Sequence, residues 1–289
     1  MLSTKLNPDY HPRELIGDQV RDITDSIYGN ADVNGGTASH GTAVAGIIGA
    51  SWNNIGIKGI APRVKIMPIR AVPGGDEWDK DIALAIRYAV DNGADIINGS
   101  FGKMTSPDKD MVDQAIRYAE RHDVLIVLGA GNDHKNNDIK PNYPNRFYSD
   151  NTEAGNVIVV GASTRESGEN LAASFSNYGQ QQVDIFAPGV DIQGLNEGNR
   201  FRKVSGSSAA APVVAGVAAL IKAYYPDVSA VTIKEIIMET AQDYSQQQVI
   251  VPGSDTIKFP FSRLCVSGGI INAFKAISEV KKRYREGTL

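Results

Sequence analysis

Residues 94–130, ADIINGSFGKMTSPDKDMVDQAIRYAERHDVLIVLGA, set two short β-branched runs, 94–101 and 123–130, on either side of a helical stripe made by Met111, Val112, Ala115, Ile116 and Ala119. Strand, helix and strand in that order predict a parallel crossover unit. The alternation continues outward. Residues 64–72 (VKIMPIRAV), 156–162 (NVIVVGA) and 183–187 (VDIFA) are strand-like, and Ile82, Ala85, Ile86, Ala89 and Val90 form another helical stripe before Gly93. Further helices are expected over about 40–50, 208–224, 230–241 and 268–284. Runs this apolar suit strands covered on both faces. The expected fold class is therefore α/β: three layers, a mostly parallel sheet with helices on both faces. No linker-like break or repeat interrupts the pattern, so residues 1–289 are expected to form one domain. Residues 1–38 are loop-rich, with Pro8, Pro12, Gly17, Gly29, Gly35 and Gly36 and no run of four apolar residues.

Composition excludes several classes. The 289 residues carry 29 Lys plus Arg against 33 Asp plus Glu, which leaves no basic surplus for a phosphate backbone, so no nucleic-acid partner is expected. The longest apolar stretch, Val213 to Ile221, is broken by Gly216 and is too short to cross a bilayer, so no membrane partner is expected and a monomer is. A single cysteine, Cys265, rules out an internal disulfide, and no Cys/His cluster has zinc spacing. The opening MLSTKLNPDYHPRELIGDQ lacks the apolar core of a signal peptide, which assigns no compartment: the chain stays inside the cell, or its true beginning lies upstream.

Four segments carry the chemistry. In 204–220, VSGSSAAAPVVAGVAAL, Ser205 or Ser207 can cap a helix, Pro212 falls within about its first turn, and the small residues imply close backbone neighbours. Ser208 then sits at a helix N-terminus, where free N–H groups favour developing negative charge. A second small-residue helix begins at His40 (HGTAVAGIIGA), whose imidazole is the natural general base for a serine hydroxyl. Gly129-Ala130-Gly131-Asn132 follows a strand, and the Asn132 amide on closely approaching backbone is suited to an oxyanion hole. Ser100-Phe101-Gly102 ends a strand along which a peptide could add by β-augmentation. Singly, each has a plainer explanation in capping, packing or turn formation. Their joint occurrence in the order His, Asn, Ser on an α/β alternation is hard to ascribe to chance.

On these residues the chain resembles the subtilisin-like serine peptidases, or subtilases. SGSSAAAP resembles the family's Gly-Thr-Ser-x-Ala-x-Pro signature with Ser207 in place of threonine, and HGTAVAG resembles His-Gly-Thr-His-Val-Ala-Gly with Ala43 in place of the second histidine. AGN, SFG, FSNYG (175–179) and FAPG (186–189) extend the likeness over about residues 38–280, and it looks closest to subtilases of gut Bacteroidetes. The resemblance implies a serine endopeptidase in which Ser208 is the nucleophile, His40 the base and then the acid, and Asn132 with the Ser208 backbone the oxyanion hole. Ser100, Phe101, Gly102, Gly129, Ala130 and Gly131 would flank the pocket for the side chain before the cleaved bond. It implies a peptide or protein substrate, no cofactor, and an exported family in which structural calcium is possible.

One part of the family's pattern is missing. Its aspartate ends an apolar strand before the histidine and is followed by Ser/Thr-Gly, whereas none of Asp9, Asp18, Asp22, Asp25 and Asp32 has that setting. Loss of such a strand would leave its neighbours with unpaired backbone and exposed apolar side chains. Two explanations stand: Met1 is an internal start in a longer enzyme, or the chain is a pseudoenzyme that holds peptides in the same cleft. An α/β-hydrolase would need Gly-x-Ser-x-Gly and a histidine last in order, and a dinucleotide fold Gly-x-Gly-x-x-Gly; neither occurs. Asp76, Glu77, Asp79 and Asp81 read as helix N-terminal charges before a calcium site, Asn98-Gly99-Ser100 as an accidental glycosylation triplet, and Cys265 as a buried small hydrophobe. His11, His122 and His134 lack catalytic context, and Lys281, Lys282, Arg283 and Arg285 read as a solvated helix end.

Overall fold

The computed structural model describes residues 13–35, 38–72 and 77–289. The strand–helix–strand unit forms as β1 (Ile96–Gly99), α3 (Lys109–Arg121) and β2 (Leu125–Gly129), preceded by α1 (Ser39–Gly49) and α2 (Asp79–Asp91). After it come β3 (Val157–Ser163), β4 (Ile185–Pro188), β5 (Ile192–Asn196), β6 (Arg200–Val204), α4 (Ser207–Tyr224), α5 (Ala230–Glu239), β7 (Gln242–Asp243), β8 (Gln248–Ile250), β9 (Lys258–Pro260), β10 (Gly269–Ile270) and α6 (Ala273–Glu286).

The main sheet runs β1-β2-β3-β4-β10-β7, parallel as far as β10 and closed by antiparallel β7. Alternation along β2 makes the three layers: Ile126 and Leu128 pack toward α2 and α3, Leu125 and Val127 toward α4, α5 and α6. α4 is long and apolar enough to span a bilayer by composition, but its Ala210, Ala211, Val214 and Ala218 are buried against the sheet.

The strand expected at 64–72 is absent. The segment is extended, yet none of residues 65–69, 71 and 72 has a backbone hydrogen bond to a described residue, and Ile66, Met67 and Ile69 are 45%, 39% and 37% exposed. A strand is defined by its partner, and β1 is the sheet's edge with no described neighbour on its outer side. The β5/β6 and β8/β9 hairpins were not foreseen. β6, with Arg200, Phe201, Arg202 and Lys203 all exposed, has no core-facing alternation to reveal it. The last helix begins at Ala273 instead of 268, where the Asn272 side chain accepts a 3.0 Å bond from Lys275 N, because 269–270 pair as β10.

Residues 13–35 form no strand and are fastened to α2 by charge. The buried Lys80 ammonium donates to Asp18, to Gln19 O at 2.8 Å and toward Asp25 at 3.4 Å, while Asp81 accepts from Arg13 and Tyr28 at 2.6 Å each. Burial and Asp81 push the Tyr28 phenol far above its usual pKa. Asp79 and Asp81 do lie in the first turn of α2, and Asp79 is held by Lys103 at 2.6 Å and Ser106 at 2.6 Å. Asp9, His11 and Asp76 lie outside the described residues. Among the described residues no group of three His, Cys, Asp or Glu could hold a metal ion.

Candidate active site

The N-terminus of α4 is built differently from the serine cap expected. Its cap is Gly206, with φ 143, a conformation that favours glycine, and no cap side chain bonds to the helix. Ser205 Oγ instead accepts from Asp191 N at 3.0 Å, and Ser207 Oγ from Gly131 N at 3.0 Å. The amide of Ser207 is capped from another element: it donates to Asn132 Oδ1 at 2.7 Å. That bond uses Asn132 Oδ1 and leaves Nδ2 as a donor with no described partner on an exposed residue.

Pro212 lies in the second turn of α4, not the first. Its missing N–H would have bonded to Ser208 O four residues earlier. Ser100 Oγ supplies that bond at 2.9 Å, and Ser208 Oγ returns one to Ser100 O at 3.2 Å. Asn98 Nδ2 donates to Ser100 Oγ at 2.9 Å, so the glycosylation triplet is engaged inside the site. The ends of β1 and β2 and the start of α4 thus meet at Ser208.

His40 is the second residue of α1, which packs against α4 and β5. Small residues permit this: Ala43 lies 3.1 Å from where a Cβ on Gly194 would be, and a Cβ on Gly46 would be 2.7 Å from Leu195 Cγ. Ser39 Oγ donates to Asn196 Oδ1 at 2.8 Å and accepts from Arg202 Nη1 at 2.6 Å, tying the helix start to the hairpin. The His40 ring is exposed, and no carboxylate among the described residues hydrogen-bonds or pairs with it. Partial desolvation and then the Arg202 charge lower its pKa below 6.5. Asp18 and Asp25 are engaged at Lys80, Asp22 at Thr24 and Asp32 at Asn34 and Gly35.

The two flanking segments differ in what they offer. Phe101 and Gly102 have no backbone hydrogen bond among the described residues and are open to an added strand. Ala130 is fully buried, its N–H bonded to Val160 O at 2.9 Å and its carbonyl to Asn137 Nδ2 at 2.9 Å, and Gly131 O accepts from Asn177 N at 2.9 Å. Residues 129–131 therefore shape a wall beside the cleft while their backbone is largely engaged within the protein. Gly129 is small because a Cβ there would stand 3.1 Å from Ser207 Oγ.

The subtilase family model matches residues 6–254. The chain belongs to the subtilase family. This subtilase is 39% identical over 217 residues to a thermophilic serine proteinase of Bacillus sp. (strain AK1), covering 74% of this chain and 49% of that protein. It is 33% identical over 251 residues to the M-protease of Shouchella clausii (strain KSM-K16), covering 81% and 62%. The chain spans about half the length of the first curated relatives it matches. Among solved structures it resembles the subtilase cytotoxin SubAB assembly (TM-score 0.69, 27% identity, 86% of this chain and 79% of that one) and the patellamide maturation protease PatA (TM-score 0.67, 27% identity, 88% of each).

Two neighbours of the site have no local signature in the sequence: Arg202 arrives with the unforeseen hairpin, and Asn142 comes from the loop before the Tyr143 bridge. Ser207 and Pro212 stand where the sequence puts them, but Ser207 bonds to Gly131 instead of capping the helix, and Pro212 leaves Ser208 O to Ser100. The remaining histidines stay outside: His122 Nδ1 bonds Tyr118 O at 2.8 Å, and His134 occupies a turn with φ 49. Cys265 is fully buried, and burial pushes its thiol up to about 11.

Proposed function

We propose that this subtilase is a serine endopeptidase scaffold acting on peptide or protein substrates. Ser208 Oγ attacks the scissile carbonyl carbon as His40 takes its proton. The negative oxygen is held by Asn132 Nδ2 and the Ser208 backbone amide. The C–N bond breaks as His40 returns the proton to the departing amine, and water releases the acyl group from Ser208 by the reverse proton path. The observation that carries this reading is the Ser207 N to Asn132 Oδ1 bond of 2.7 Å, which leaves the Asn132 Nδ2 uncommitted among the described residues and supports its role as an oxyanion donor.

A peptide-binding module using the same cleft is the second reading. It is favoured by the lack of a described carboxylate at His40, whose absence costs about 10⁴ in turnover where it has been removed alone. Treatment with a fluorophosphonate separates the two. Labelling confined to Ser208 and lost in Ser208→Ala supports the hydrolase; a folded, unlabelled protein supports the binding module.

A further inference from the structure

Beside Asn132 lies a cavity of about 250 Å³ lined by Asp133, Lys135, Lys140, Asn142, Tyr143 and Asn177, with Met104 at its side. Its floor is fixed by a two-way backbone bridge, Lys103 N to Tyr143 O at 2.9 Å and Tyr143 N to Lys103 O at 2.8 Å. The bridge lays the Asn142 side chain against both walls of the cleft. A Cβ on Gly102 would fall 2.4 Å from Asn142 Nδ2, and one on Gly131 3.5 Å from Asn142 Cγ. Asn142 is only 8% exposed, and its amide has no hydrogen bond to a described residue and reaches solvent at the cavity, so a bound side chain would displace its water. Asn177, by contrast, uses its Oδ1 on Asp133 N and Lys135 N, at 2.9 and 3.0 Å.

We infer that Asn142 selects an amide side chain, glutamine or asparagine, at the substrate residue whose carbonyl meets Asn132. The inference rests on the proposed function, since it takes the carbonyl to be held at that cleft. An amide satisfies both the donor and the acceptor of Asn142, a carboxylate only the donor, and an apolar side chain neither. A buried amide left without a partner weakens binding by about tenfold or more.

The test is calorimetric binding of product-type peptides, Ac-Ala-Ala-Pro-Gln and its near-isostere Ac-Ala-Ala-Pro-Met, to the whole chain. The glutamine peptide is expected to bind about tenfold tighter. Its advantage should disappear in Asn142→Gly and invert in Asn142→Leu, with thermal unfolding recorded to show that each variant folds. Equal or tighter binding of the methionine peptide, no binding of either, or an unchanged ratio in the folded variants overturns the assignment. Fluorophosphonate labelling of the same samples keeps the two claims apart: labelled protein that prefers methionine sinks the pocket alone, and unlabelled protein that prefers glutamine sinks the hydrolase alone.

Discussion

Pro212 has no amide hydrogen, and the helical bond it forgoes is the one that Ser208 O would have accepted. Ser100 Oγ takes that place, and Asn132 Oδ1 caps Ser207 N, so the first turn of α4 is held by β1 and by the segment after β2. Asn132→Ala removes both the cap and the free donor. Hydrolysis of a fluorogenic peptide should fall by about 10² to 10³, with some loss of stability as well. His40 gives a pH test. Its pKa is lowered, by desolvation first and Arg202 second, so the ring is neutral and able to accept a proton somewhat below 6.5. The acid limb of the labelling rate should have its midpoint below 6.5, and Arg202→Ala should move it part of the way back. For stability the sign is the same: the unfolded chain binds this proton more readily, so acidification through 6.5 down to the folded value costs stability.

At the scale of elements, α2 shows how a chain stretch without strands is still ordered. Residues 13–28 contribute Arg13, Asp18, Asp25 and Tyr28 to a cluster around Lys80 and Asp81, and the Lys80 ammonium also lies 4.5 Å from the centre of the Tyr28 ring. Lys80 and Asp18 are both fully inside, and each has a second partner, Arg13 at 2.6 Å for Asp18 and Asp25 at 3.4 Å for Lys80. Lys80→Ala leaves Asp18 to Arg13 alone and should destabilise by about 3 kcal/mol, read from the midpoint of urea unfolding. Lys80→Met combined with Asp18→Leu should recover part of that loss, because the two fully buried charges leave together while Arg13 keeps Asp81. An equal loss in the single and double variants would refute the electrostatic account. A second buried pair, Arg146 with Asp184, ties 146 to β4, and Asp184 Oδ2 also accepts from Val159 N at 2.7 Å.

Among the described residues, the main sheet ends in the short antiparallel strand β7 on one side and in half-buried β1 on the other. Residues 65–67, 69, 71 and 72 have no backbone hydrogen bond to a described residue. Local stability follows hydrogen bonding and burial. Amides of 65–67, 69, 71 and 72 should therefore exchange with deuterium orders of magnitude faster than those of β2 and β3, which are buried along their whole length. Protection of these amides equal to that of β2 would overturn that expectation.

Periodicity in the sequence determined the parallel sheet and its two helical layers, because burial on both faces forces near-continuous apolar strands such as 125–129 and 157–163. Residue chemistry also singled out His40, Asn132 and Ser208, through their joint occurrence in that order on an α/β alternation. Neither kind of signal could reveal the β5/β6 hairpin, since a solvent-facing ribbon has no core stripe, nor that 64–72 joins no ladder formed by the described residues, since a strand needs a neighbour that its own residues do not encode. Only the tertiary structure decided that Ser205 and Ser207 leave the helix cap to Gly206 and Asn132, that Ala130 spends its backbone inside the protein, and that Asn142 comes to rest between Gly102 and Gly131. Each depends on hydrogen bonds or contacts between residues far apart in the chain, and a bond of that kind is a property of both partners' positions, which no single stretch of sequence carries.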